Sequence, residues 1–268
     1  MATTDATIRK PIEESEDTGA KMTFFEHLVE LRKRIIYAGL AILVAMGLGF
    51  TVALRVFDFI AQPMLKALRE AHLEDKLVYT SPTGVINLWI TLGFYLGIAI
   101  AMPVVLYQVW LFVAPGLYRR ERRYVAAFLF STTILFVSGA AFAYYAMLPH
   151  VLRFLVGIQG PFKPLISINE YFDLVLVVLL GLGVIFEMPI LIFFLSLFGI
   201  VTPKFLWKNF RYAMILITIV AAIVTPTPDA TTMLVFMAPM VGLYFIGMGL
   251  SYLVVRKKRQ RAAVEGAK

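Results

Sequence analysis

Four acidic residues have the type and setting for chemistry or recognition: Glu30, Glu121, Glu187 and Asp229. Glu30 lies in the run His27-Leu28-Val29-Glu30-Leu31-Arg32-Lys33-Arg34. Spacing alone favours an i,i+4 ion pair with Arg34 on a surface helix, worth roughly 0.3–0.5 kcal/mol. Glu121 is flanked by Arg119, Arg120, Arg122 and Arg123. An acid there either neutralises its neighbours or is stabilised at a helix N-terminus. Glu187 is different, because it stands inside the apolar run Gly183-Val184-Ile185-Phe186-Glu187-Met188-Pro189. Placing a charged side chain at mid-membrane costs about 2.5–3.5 kcal/mol on insertion scales, so such a residue is functional by default. The competing reading is a protonated glutamate bonded to a neighbouring helix. Asp229 follows Thr225-Pro226-Thr227-Pro228 and reads first as a turn or helix-capping residue.

Other chemistry is poorly supplied. His27, His72 and His150 are isolated, and no pair has metal-ligand spacing. The chain has no cysteine, so it has no disulfide, thiolate metal site or thiol nucleophile. It has no Gly-x-x-x-x-Gly-Lys-[Ser/Thr] loop for ATP, and no hydrolase signature of the Gly-x-Ser-x-Gly or His-Glu-x-x-His kind. An intramembrane enzyme would lack a nucleophile–base pair. We expect no cofactor, no metal and no catalytic residue.

The elements that must position these acids are membrane spans. The 268 residues are 60% hydrophobic and 16% charged, with a mean hydropathy of +0.82. Apolar blocks of about 20 residues predict six spans. They run roughly over Ile35–Leu54, Ile86–Leu106, Val125–Leu148, Leu174–Ile200, Ala213–Val224 and Met233–Val255. The fifth is short, covering only about 18 Å of a core about 30 Å thick. Thr23 and Glu26 form a capping-box pattern that starts an amphipathic segment before the first span. Two long loops, Phe57–Val85 and Pro149–Tyr171, fall on one side, the first with a short helix after Pro63. Gly93 and Gly97 form a small-xxx-small pair in the second span.

Charge sets the orientation. The net charge of +8 would suggest nucleic acid in a soluble protein. Here the basic residues gather in alternate loops: Lys21 and Arg32–Arg34, then Arg119–Arg123, Lys204–Arg211 and Arg256–Arg261. That asymmetry predicts both termini in the cytoplasm and no nucleic-acid partner. Residues 1–21 read as a disordered cytosolic tail, 22–255 as a six-span membrane domain and 256–268 as a basic cytosolic tail. The N-terminus has no pattern of a removable signal peptide.

The combined motifs resemble the TatC family, the multispanning core of the twin-arginine protein translocase. His27-Leu28-Val29-Glu30-Leu31-Arg32-Lys33-Arg34 is similar to that family's N-terminal signature. Phe112-Val113-Ala114-Pro115-Gly116-Leu117-Tyr118, followed by Glu121-Arg122-Arg123, resembles its first-cytoplasmic-loop signature. Phe186-Glu187-Met188-Pro189 and the turn from Thr225 to Asp229 match as well, and the resemblance covers about Thr23 to Val255.

The resemblance implies an all-α membrane protein with six transmembrane helices in a concave bundle in the bacterial inner membrane. It implies a receptor for N-terminal signals bearing two consecutive arginines, exporting folded proteins on the proton gradient. The same resemblance implies that Glu30 and Glu121 bind the arginine pair. Leu31 and Arg32 from the first signature, and Phe112, Pro115, Leu117 and Tyr118 from the second, complete the site. Glu187 lines a partly hydrated intramembrane face. Implied partners are TatA-like and TatB-like single-span proteins docking near the last two spans, membrane lipid and further copies of the chain. Several relatives carry a glutamine four residues after the turn aspartate, where this chain has Met233; Thr231 and Thr232 are the polar substitutes nearby. We also expect Glu121 to be held clear of its two preceding arginines, with Pro115 and Tyr118 fixing the turn. The alternative reading is a secondary transporter of a small solute with Glu187 as its proton site.

Overall fold

A computed structural model describes residues 24–113, 125–158, 165–225 and 229–265. The N-terminal tail and the Thr23 cap lie outside these residues, as do Pro115, Leu117, Tyr118 and Glu121 and the two prolines of the 225–229 turn.

The described chain is helical. The helices are α1 (Phe24–Glu70), α2 (Gly84–Val113), α3 (Val125–Phe142), α4 (Leu148–Gly157), α5 (Ile168–Ile185), α6 (Met188–Leu197), α7 (Pro203–Lys208), α8 (Phe210–Val224) and α9 (Ala230–Glu265). A single π-turn, Ala143–Met147, joins α3 to α4. Among the described residues, five stretches are long and apolar enough to cross a membrane: α1, α2, α3 with α4, α5 with α6, and α9. The sixth, α8, has 15 residues and reaches about 22 Å, so the short fifth span is present in the fold. α1 packs most extensively on α2, α6 on α9, and α3 on α5.

The first span differs from its expected bounds. α1 runs 47 residues without interruption, so the short helix expected after Pro63 is the outer end of α1 itself. Proline inside a helix removes the bond to the carbonyl four residues back, here that of Phe59. Tyr144, in the π-turn, donates its hydroxyl to the Phe59 carbonyl at 2.6 Å, and its ring stacks on Phe59 at 4.3 Å. Tyr171 donates to the Ile60 carbonyl at 2.6 Å. The tyrosines thus stitch α1 across its proline to two other spans. Tyr144→Phe should lower stability by about 1 kcal/mol. A melting temperature of the detergent-solubilised chain equal to wild type would refute the stitch.

The second outer loop is shortened in the same way, since residues 149–157 are helical. The two loops meet at one parallel bridge, in which Val78 donates to the Ile166 carbonyl at 3.0 Å and Ile168 donates to the Val78 carbonyl at 2.8 Å.

Small residues set the α1–α2 crossing. A Cβ on Gly49 would lie 2.5 Å from the Gly93 carbonyl oxygen, and one on Gly97 2.6–2.8 Å from Met46. Backbone atoms are among those contacts, so the helices cannot relax around a side chain there. Gly97→Val is expected to cost about 1–3 kcal/mol and to shift the purified chain toward aggregation on size exclusion. A monodisperse variant with native melting would contradict this.

Candidate functional site

α1 presents His27, Glu30 and Arg34 at i, i+3 and i+7, which is one helical face. That face meets the last turns of α2 at Gln108 and Phe112, themselves four residues apart. The His27 ring stacks on Phe112, with centroids 4.3 Å apart and planes 22° apart. Arg34 Nη2 pairs with Glu30 Oε1, and Arg34 Nη1 donates to Gln108 Oε1 at 3.3 Å. The guanidinium therefore bridges two helices. The end of α2 is braced from behind, where buried Trp110 meets Phe194 of α6 edge-on at 5.6 Å.

The side chains of Glu30 and Arg34 are 21% and 20% exposed, so this is not a freely solvated surface pair. The i,i+4 pair expected from spacing is present, but burial and Gln108 place it in a tertiary contact. Leu31 is half-buried and Arg32 is exposed. Arg34 Nε is enclosed and has no hydrogen-bond partner among the described residues.

Glu187 sits at a break in the fourth span. α5 ends at Ile185, the residue whose carbonyl Pro189 cannot serve, and α6 begins at Met188. The Glu187 N–H turns back to the Val184 carbonyl at 3.0 Å, and its own carbonyl accepts from Ile190 and Leu191. Two glycines let neighbouring spans approach this break. A Cβ on Gly139 of α3 would lie 2.7 Å from the Leu182 carbonyl oxygen and 2.8 Å from Phe186. One on Gly247 of α9 would lie 2.6 Å from Ile192 and 3.2 Å from Pro189. Glu187 Oε1 is enclosed and finds no hydrogen-bond partner among the described residues. The neighbour-helix bond of the competing reading is therefore absent there.

Asp229 caps α9, its Oδ2 accepting from the Thr232 N–H at 2.6 Å. Thr231 is exposed, whereas Thr232 is buried and Met233 packs against the core. Of the residues expected at a docking surface, then, two of the three after Asp229 turn inward.

Comparison with known proteins places the chain as a whole. Residues 26–239 match the family model of the Sec-independent protein translocase protein TatC. The chain belongs to the TatC family. A TatC of Koribacter versatilis is 47% identical over 97% of this chain and 95% of its own length. A TatC of Aquifex aeolicus is 36% identical over 89% of this chain and 98% of its own. A crystal structure of a twin arginine translocase receptor TatC superposes with a TM-score of 0.75 at 36% identity, covering 85% of this chain and 99% of that one.

Membership makes this chain a multi-pass protein of the bacterial inner membrane and a component of the Tat protein translocase, which works in a complex with other Tat components. It decides for protein transport over a small-solute transporter. Three features of this contact go beyond the sequence-based site: His27, Gln108 and the tertiary role of Arg34. Gln108 carried a signal, being an amide in an apolar helix one turn before Phe112. His27 carried none beyond its helical spacing from Glu30.

Proposed function

We propose that this chain reads the paired arginines of export signals through Glu30 and Glu121, and serves as the platform on which the translocase assembles. The observation that carries the reading is the seating of the Glu30 face of α1 on the end of α2. Glu121 follows Phe112, which is part of this contact, by nine residues in the sequence. Leu31 and Arg32 follow Glu30 directly in the sequence, and Pro115, Leu117 and Tyr118 lie between Phe112 and Glu121. A carboxylate accepts a planar guanidinium on two oxygens, which an ammonium cannot match. Two such acids thus favour Arg-Arg over Lys-Lys.

The site end of the bundle faces the cytoplasm, with both termini. In support, Lys204, Lys208, Arg211 and Arg256–Lys258 cluster near the ends of α6 to α9, and Lys258 donates to the Leu197 carbonyl at 2.6 Å. Single-span TatA-like and TatB-like helices dock near α8 and α9, where Ile215, Ile219, Ile223 and Leu234 are exposed. Elsewhere such apolar faces meet lipid, and further copies of the chain join the complex. With no nucleotide loop in the sequence, the proton gradient drives transport, and Glu187 is the acid placed to respond to it.

The test is export of a folded reporter carrying an Arg-Arg signal, compared across wild type, Glu30→Ala and Glu121→Ala. Export unaffected by both changes refutes the receptor assignment.

A further inference from the structure

Glu30 is already paired with an arginine. Arg34, on the same helix, reaches its Oε1, and its other terminal nitrogen rests on Gln108 of α2. We propose that Arg34 is a resident guanidinium in this site, and that an incoming signal arginine enters by displacing it from Glu30. The inference rests on the receptor reading above and deepens it.

Three features support exchange over a permanent strut. First, Arg34 spends only one nitrogen on Glu30, and its Nε is enclosed without a partner among the described residues, so the resident ion is incompletely satisfied. Second, Gln108 gives it a place to stay when it lets go. The bond to Gln108 survives a small rotation away from the carboxylate. Third, a guanidinium this close to Glu30 cancels its charge and repels any second guanidinium at the same oxygens. Fixing the Glu30 side chain in place helps binding less than that like charge hinders it, because partial burial weakens screening. Arg32 and Lys33 are exposed neighbours on the same helix and add to the repulsion.

The consequence is a receptor whose affinity is deliberately limited. A signal that must be handed on cannot be held too tightly, and most affinity differences among related complexes appear in the rate of release. An internal competitor imposes the same displacement on every ligand. It therefore lowers affinity for Arg-Arg and Lys-Lys signals alike and leaves their ratio unchanged.

The experiment uses the full chain in lipid nanodiscs, with a fluorescent peptide bearing two consecutive arginines and its Lys-Lys counterpart. Arg34→Gln is expected to bind the Arg-Arg peptide at least tenfold more tightly, with slower release and an unchanged Arg-Arg to Lys-Lys ratio. Arg34→Lys, which keeps the charge, should tighten less. Gln108→Leu removes the alternative anchor and should weaken binding, which provides a reading even if Arg34→Gln misfolds. Unchanged or weaker binding by folded Arg34→Gln, or tighter binding by Gln108→Leu, overturns the proposal. If Glu30→Gln abolishes binding while Arg34→Gln fails to tighten it, only the role of Arg34 falls. If Glu30→Gln binds like wild type, the receptor reading falls with it.

Discussion

Glu30→Gln is expected to weaken binding of an Arg-Arg signal peptide by roughly 10- to 100-fold while the chain stays folded. A hydrogen bond to a charged group contributes about 1.5–3 kcal/mol, and about 1.4 kcal/mol corresponds to a factor of ten. Losing the carboxylate charge removes one such interaction and the Coulomb attraction behind it. The fold should survive, because a glutamine oxygen can still accept from Arg34 and the Arg34–Gln108 bond does not involve Glu30. His27 on Phe112 also remains to hold α1 against α2. The Lys-Lys peptide, which never had the planar fork, should lose less. Fluorescence titration of both peptides, with melting curves run alongside, gives the answer. Equal affinity of Glu30→Gln and wild type for Arg-Arg would remove Glu30 from the site.

Glu187→Leu should do two opposite things, raising thermal stability and lowering export. One carboxyl oxygen is enclosed without a hydrogen-bond partner among the described residues, in a span that the chain has already broken. Leaving a buried polar group unsatisfied costs about 1–3 kcal/mol, and replacing such groups with apolar ones of similar size is often stabilising. Leucine should recover much of that. A residue kept at such cost, at a break that two glycines let neighbouring spans pack against, is expected to be needed for work, so the stabilised variant should export poorly. Glu187→Gln separates polarity from charge: if it exports like wild type, ionisation of Glu187 is not required. A destabilised Glu187→Leu, or one that exports fully, would contradict the assignment.

Glu187 was legible at once, because a lone acid in an apolar run has few structural excuses. The break beside it has a local cause, since Pro189 has no N–H for the Ile185 carbonyl, but the expected fourth span ran unbroken over Leu174–Ile200. Glu30 was legible only by resemblance, because local spacing offered Arg34 as a sufficient partner. That pairing is there, and spacing could not reveal that Gln108, 74 residues away from Arg34, turns it into a bridge between helices.

The class of protein, the number of spans, the short fifth span and the acids worth testing all follow from local pattern. Hydropathy acts over about 20 consecutive residues and a proline acts within one turn, so both are local and can be read along the chain. Tertiary packing alone settled that α1 continues through Pro63, because the carbonyl the proline leaves open, that of Phe59, accepts from Tyr144, 85 residues away, and Tyr171, 111 residues from Ile60, adds a second tie. It likewise decided that Thr232 and Met233 turn inward and that Glu30 carries a resident arginine held from α2. These outcomes depend on which helix faces which. Side chains far apart in sequence settle that by satisfying each other's buried polar groups, and no local pattern contains it.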